Sequence, residues 1–239
     1  MKKISSAALL ALKLTWKAAL AFTLTGAAVQ IFYVFRELMP GGVPLQTTFG
    51  FEELLRSAAE PVGGLWMALM MFMLGMGQNK GSKSVYTMNR LGLSENQTTL
   101  VFGGVFTGYF LLYWTFQIAL CYGFFVWYSR FTLVGSNTWM LAVWRSEWLH
   151  TLLPLSEWWG YVRNFIICLS FGFCAAFDSH RARHGKHSMV KIIPPVLCVF
   201  LLNGRVGEIA PAIALTVLLV AYIIGDFLAL KGGLEDEDL

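Results

Sequence analysis

The sequence has little charge, and this scarcity excludes most soluble folds. Asp, Glu, Lys and Arg make up 13% of the 239 residues, whereas hydrophobic residues make up 56%. Because soluble domains carry about 25% charged residues, a chain this apolar could not cover its own surface in water. Its long apolar runs lack the alternation of barrel strands. The composition therefore predicts an all-α polytopic membrane protein.

Several catalytic patterns are also missing. The four cysteines lie inside apolar runs, where they are expected to pack as small hydrophobic residues rather than to form disulfides or bind metal. No Walker-type glycine loop is present. The predicted crossings contain few carboxylates, which argues against proton- or sodium-coupled transport. We therefore expect a non-enzymatic chain with no catalytic residue, metal or cofactor of its own.

Six apolar segments predict six membrane crossings, namely 18–35, 62–78, 100–128, 158–177, 189–206 and 212–230. The lysine-containing segment 1–17 is expected to be an amphipathic lead-in at the membrane surface. The fifth segment is short, so 192–211 is predicted to form either a full crossing or a re-entrant hairpin. The Trp-rich segment 129–157 is expected to lie along the outer membrane interface.

The distribution of basic residues predicts the orientation of these crossings. If the N-terminus is inside, 12 of the 18 Lys and Arg residues, including every lysine, face the cytoplasm. Both termini are therefore predicted to be cytoplasmic, in a multi-pass protein of the bacterial inner membrane. Its net charge of +4 is then explained by cytoplasmic loops rather than by nucleic-acid binding. On the outer side, Arg163 is expected to snorkel from the end of its crossing.

Two clusters could carry chemistry. Glu52, Glu53 and Arg56 resemble the paired-glutamate motif of intramembrane CAAX-type proteases, but no predicted crossing contains a histidine, so ordinary surface pairing is preferred. A second cluster comprises three histidines spaced for metal binding: His180, His184 and His187. Interleaved basic residues repel a cation, so a loop that contacts headgroups or a partner is preferred.

The polar segment 79–99 between crossings two and three is the most informative part of the chain. Residues 83–95 are Lys-Ser-Val-Tyr-Thr-Met-Asn-Arg-Leu-Gly-Leu-Ser-Glu. This pattern favours a short amphipathic helix. Such a helix could dock into a groove of a cytoplasmic partner or lie on the inner headgroups.

The chain resembles the permease subunits of type-2 ABC transporters, the six-helix exporter class. The features that carry the resemblance are this segment, the lead-in, a basic loop after crossing four and a divided segment before the last crossing. The resemblance covers nearly the whole chain but rests on layout. It implies that the chain pairs with a second permease subunit, identical or similar, and with separate ATP-binding subunits that hold ATP and Mg²⁺. The short fifth segment and the Trp-rich outer segment depart from the family layout.

The resemblance also implies which residues couple the permease to its ATPase. The main coupling contacts would be Tyr86, Met88, Arg90, Leu91 and Glu95, and the secondary contacts would be Arg181 and Arg183. The implied cargo is amphipathic or apolar: lipid-like, peptide or drug-like. The alternative is a non-transporting membrane scaffold or sensor that binds a cytoplasmic partner through 79–99.

Overall fold

The computed structural model describes residues 2–38, 51–77, 92–131, 139–155, 158–183 and 209–232. Apart from short connections, all of these residues are helical, which confirms the all-helical class. The helices are α1 (Lys2–Leu38), α2 (Phe51–Leu54), α3 (Glu60–Gly77), α4 (Glu95–Phe131), α5 (Trp139–Arg145), α6 (Glu147–Leu152), α7 (Trp158–Arg183) and α8 (Ile209–Gly232). A π-helical turn, Leu55–Ala59, joins α2 to α3.

Within the described ranges, four helical stretches are long and apolar enough to cross a membrane: Lys3–Glu37, Phe51–Gly75, Glu95–Arg130 and Trp158–Arg181. They contain the predicted crossings one to four, except for the last three residues of crossing two, 76–78. The predicted fifth crossing, 189–206, lies outside the described residues. The predicted sixth, 212–230, falls within α8, where a shorter apolar stretch covers Thr216–Gly225.

The predicted lead-in and first crossing form one continuous helix, α1. Lys13 and Lys17 make this part of α1 more polar, but they do not interrupt the helix because lysine is a good helix former. α2 is likewise continuous with α3 through the π-helical turn, in which the Glu60 N–H donates to the Leu55 carbonyl. Pro61 has no N–H to donate one turn back, which accounts for the irregularity at this point.

α1 and α4 run parallel to each other. Near the start of α1, the Thr15 hydroxyl donates to Tyr109 Oη at 3.2 Å. Further along both helices, Gln30 Nε2 donates to Gln117 Oε1 at 3.0 Å. α3 and α7 run in the opposite direction. One end of the bundle, the Lys3 end, therefore holds the starts of α1 and α4 and the ends of α3 and α7. The other, the Glu60 end, holds α2, α5, α6 and the starts of α3 and α7.

The most extensive helix pair is α4 with α7, and glycines bring the two backbones together. A Cβ at Gly172 would lie 2.5 Å from the backbone nitrogen of Thr107. A Cβ at Gly103 would lie 2.7 Å from the Phe173 ring. This close, dry contact forms the centre of the core and fixes α4 relative to α7.

Candidate functional site

Only part of the predicted coupling site falls within the described residues. Tyr86, Met88, Arg90 and Leu91 lie outside them. Glu95 is the first residue of α4. Ser94 caps this helix through a reciprocal pair in which the Gln97 N–H donates to Ser94 Oγ at 3.3 Å and the Ser94 N–H donates to Gln97 Oε1 at 3.4 Å. This capping box fixes where the polar segment ends, and its Ser-x-x-Gln pattern was readable in the sequence.

Glu95 lies beside the end of α7. Its Oε2 is 3.6 Å from Nδ1 of His180, and the predicted secondary contacts Arg181 and Arg183 belong to the last turn of α7. The structure thus brings together one end of each of the two predicted coupling segments. Within the described ranges, no group of three or more His, Cys, Asp and Glu side chains could hold a metal ion. His184 and His187, the other members of the histidine cluster, lie outside those ranges.

The start of α1 reaches the same place. Gly92 precedes α4 with a φ of +59°, a left-handed conformation that glycine adopts without strain. A Cβ at this position would lie 3.6 Å from Nζ of Lys3. The Lys3 end therefore brings Lys3 of α1 and His180 of α7 close to the start of α4. This arrangement suits contact with an acidic surface or with anionic headgroups.

A charged cleft opens at the opposite, Glu60 end. It has a volume of about 340 Å³ and is lined by Glu52, Glu53, Arg56, Glu60, Arg145, Ser146 and Glu147. Four glutamates thus face two arginines, which leaves an excess of negative charge. One ion pair across it joins Arg145 Nε to Glu52 Oε1 at 3.8 Å. No histidine is among the described residues that line the cleft.

The Trp-rich segment packs over this end of the bundle and is fastened to two long helices. Trp114 of α4 donates its indole N–H to the Leu152 carbonyl at 3.1 Å. Asn164 of α7 donates through Nδ2 to the Thr151 carbonyl at 2.8 Å. The prediction that Arg163 snorkels is wrong: this side chain is 3% exposed and donates to Asn164 Oδ1 at 3.3 Å. Burial under α6, which the sequence does not reveal, keeps the guanidinium inside.

A buried pair of glutamines, which was not predicted from the sequence, lies next to the cleft. Gln30 of α1 and Gln117 of α4 are each 1% exposed. Both protons of Gln30 Nε2 are used, one on Gln117 Oε1 at 3.0 Å and one on the Ala59 carbonyl at 2.9 Å. Gln30 Oε1 and Gln117 Nε2 have no hydrogen-bond partner in the described part of the chain. The available signal was one glutamine in each of two apolar runs, 18–35 and 100–128.

Trp148 separates the glutamine pair from the cleft. A Cβ at Gly63 would lie 2.7 Å from Trp148 Cζ2 and 3.1 Å from Gln30 Nε2, so the indole and the carboxamide both lie against this glycine. Trp148 is 3% exposed, whereas the two residues before it, Ser146 and Glu147, line the cleft. Trp148 therefore lies between the cleft and the buried glutamine pair.

Comparison with protein-family models, with curated proteins and with solved structures finds no match to this chain. Any statement about its activity therefore rests on its own sequence and geometry.

Proposed function

We propose that this chain is the permease subunit of an ATP-driven transporter of the type-2 ABC class, with six crossings and both termini in the cytoplasm. It pairs with a second permease subunit and with separate ATP-binding subunits. The observation that carries the proposal is the contact of Glu95 with His180 at 3.6 Å. This contact joins the start of α4 to the end of α7, the two elements that the family layout assigns to coupling, at the Lys3 end of the bundle.

The packing of α8 supports the six-crossing arrangement. Phe227, near the end of α8, contacts Phe173 and Phe177 near the end of α7, with ring centroids 5.5 and 5.1 Å away. Leu219, two turns earlier, is fully buried, as expected if α8 continues alongside α7 in the same direction. If α8 runs alongside α7 in the same direction, it starts at the Glu60 end, as the proposed fifth crossing at 189–206 requires.

The bundle geometry also supports transmission between the two ends. α1 and α4 both extend from the Lys3 end to the Glu60 end. An ATPase that pulls on the Lys3 end would therefore displace helices that also carry Gln30 and Gln117. Coupling of this kind requires different contacts in two global arrangements, and two helices that share both ends of the bundle provide a physical link.

The proposal is tested by purifying the tagged chain in mild detergent and identifying what co-purifies. We expect a stoichiometric soluble subunit with a Walker motif, whose ATPase activity rises when both are reconstituted. The variant R90A/L91A, with Glu95→Lys added, should lose this subunit. A control at the opposite end, R36A/E37A, removes an exposed ion pair of 3.2 Å and should retain it. Recovery of the chain without a nucleotide-binding partner would overturn the proposal.

The alternative, a scaffold or sensor that binds its partner through 79–99, is favoured by the same converging contacts at the Lys3 end. The two functions predict different rates of nucleotide hydrolysis after reconstitution. A scaffold would bind a partner and lose it in the same variants, but reconstitution would leave nucleotide hydrolysis unchanged.

A further inference from the structure

The unpaired atoms of the glutamine pair form a complementary donor and acceptor. Two carboxamides can form two reciprocal hydrogen bonds, but only the bond from Gln30 Nε2 to Gln117 Oε1 is made, at 3.0 Å. Within the described residues, neither Gln30 Oε1 nor Gln117 Nε2 makes a well-formed hydrogen bond, and the Tyr113 hydroxyl lies close to the Gln117 side chain. A buried polar atom without a partner is costly, and more so where no water reaches it. A purely structural link between α1 and α4 would be better served by the closed, two-bond pair.

The surroundings hold this pair open. The Ala59 carbonyl, at the end of the π-helical turn, takes the second proton of Gln30 Nε2 at 2.9 Å. Tyr113, one turn before Gln117, donates its hydroxyl proton to the Gly63 carbonyl at 3.1 Å. π-helical turns inside α-helices are frequent at functional sites. The π-helical turn before α3 therefore positions the Gln30 side chain so that its oxygen, Oε1, is not bonded to Gln117.

The route to this pair starts in the charged cleft. Glu60 lines the cleft, and the carbonyl of the preceding residue, Ala59, is bonded to Gln30. On the opposite wall, Glu147 lines the cleft, and the next residue, Trp148, packs against Gly63 beside Gln30. Displacement of the Trp148 indole would open a path from the cleft to the glutamine pair. The excess of glutamate in the cleft selects for positive charge on whatever enters.

We infer that Gln30 and Gln117 bind an amide group of a cationic, peptide-like cargo that enters through the cleft when Trp148 moves aside. A peptide group offers one N–H and one C=O. Its N–H would donate to Gln30 Oε1, and its C=O would accept from Gln117 Nε2, so both unused atoms are satisfied. The positive charge of the cargo would remain in the cleft among the glutamates. This inference rests on the proposed transport function, which it deepens by naming the cargo class.

The test is equilibrium binding to the full chain in lipid nanodiscs, without any ATP-binding subunit. The probe is the peptide acetyl-Gly-Lys-Gly-amide, compared with analogues in which each backbone amide in turn is replaced by an ester. We expect one ester analogue to bind at least tenfold more weakly, because an ester lacks the N–H that Gln30 Oε1 accepts. Acetylation of the lysine should weaken binding in the same direction, because it removes the charge that the cleft selects.

Two variants test whether the glutamine pair is a binding site or only a structural link between α1 and α4. Gln117→Leu should weaken binding of the amide peptide at least tenfold while the protein still unfolds cooperatively. Thr115→Val, on an exposed part of the same helix, should bind as the native chain does. Equal binding by native chain and Gln117→Leu, or a lowered Tm with unchanged binding, would overturn the inference.

The ester series needs no mutant, so it decides the question even if Gln117→Leu fails to fold. Absence of peptide binding to the native chain would overturn this inference and leave the transporter proposal standing. Absence of a co-purifying ATPase would overturn the transporter proposal whatever the peptide result.

Discussion

The α4–α7 interface and the α1–α3–α4 interface are built in opposite ways. Between α4 and α7, glycines allow backbone contact, and apolar rings such as Phe110 and Phe171 pack with centroids 5.3 Å apart. Between α1, α3 and α4, the contact depends on carboxamides, an indole and a π-helical turn, and two polar atoms remain unpaired. The first interface allows only one close-packed arrangement of the two helices. The second has spare hydrogen-bonding capacity, which a conformational change or a ligand could use.

The largest loss of stability is expected when a methyl group is added at the close-packed α4–α7 interface. A Cβ at Gly172 would lie 2.5 Å from Thr107 N and 2.8 Å from Thr107 Cα, so the backbones must separate. We expect Gly172→Ala to destabilise the protein by about 3 kcal/mol. Gly108→Ala is the matched control on the partner helix, since its Cβ would meet nothing within 4 Å. Thermal unfolding in detergent measures both, and equal midpoints for the two variants would contradict the close packing.

The next prediction concerns coupling within the polar interface. Gln30→Leu and Gln117→Leu should each destabilise by about 1–2 kcal/mol, because each leaves a buried partner unpaired. The double variant should be more stable than the sum of the two losses implies, by about 1 kcal/mol, since it removes both partners of one bond. A double-mutant cycle from unfolding midpoints gives the value. Strict additivity would mean that the carboxamides do not interact.

A smaller effect is expected for the indole that joins α3 to α1. Trp66 donates its N–H to the Phe22 carbonyl at 2.7 Å and lies against Gly26. Trp66→Phe keeps most of the ring and loses the bond, so we expect a loss of about 1 kcal/mol. Trp144→Phe is the control, because Trp144 is 66% exposed. Similar unfolding midpoints for both variants would show that the Trp66 bond contributes nothing.

The smallest effect is expected at the cleft surface. Glu52 and Arg145 are partly exposed and their charged atoms are 3.8 Å apart. Glu52→Gln should change stability by only about 0.3 kcal/mol, because water screens such a pair. Its measurable consequence should appear in binding of the lysine-containing peptide, which weakens as the cleft loses a negative charge. A stability loss as large as that of Gly172→Ala would refute the view that the cleft is a solvated surface.

Local sequence signals identified the long helices, because a crossing is specified by a contiguous apolar run. The predicted segment 158–177, for example, shares its first residue with α7 and ends six residues before it. The continuity of α1 was not predicted, because lysines make a segment more polar without ending a helix. The burial of Arg163 was missed for a different reason. It depends on α6 folding over α7, a contact between segments that local pattern does not encode.

The site shows the same division. Residues 79–99 and the basic loop after crossing four were each recognised from the sequence, but only the fold brings Glu95 to His180. The role of the predicted coupling residues stays a prediction. The glutamine pair could not be inferred, because Gln30 and Gln117 are 87 positions apart and neither is charged. A single uncharged polar residue in an apolar run is compatible with many neighbours, and only the parallel packing of α1 on α4 selects this one.

The lengths of α1 and α4 have a mechanical consequence. Each contains 37 residues, which at 1.5 Å per residue gives a rod of about 55 Å. The hydrocarbon layer is only about 30 Å thick, so neither rod fits within it unless it is strongly tilted or protrudes. The rods are parallel and joined by two hydrogen bonds, Thr15 to Tyr109 and Gln30 to Gln117, and by the stacked rings of Phe35 and Trp127, so a change of tilt in one is expected to be shared by the other. α1 and α4 are therefore expected to tilt together, and the thickness of the lipid bilayer is expected to influence their common tilt angle.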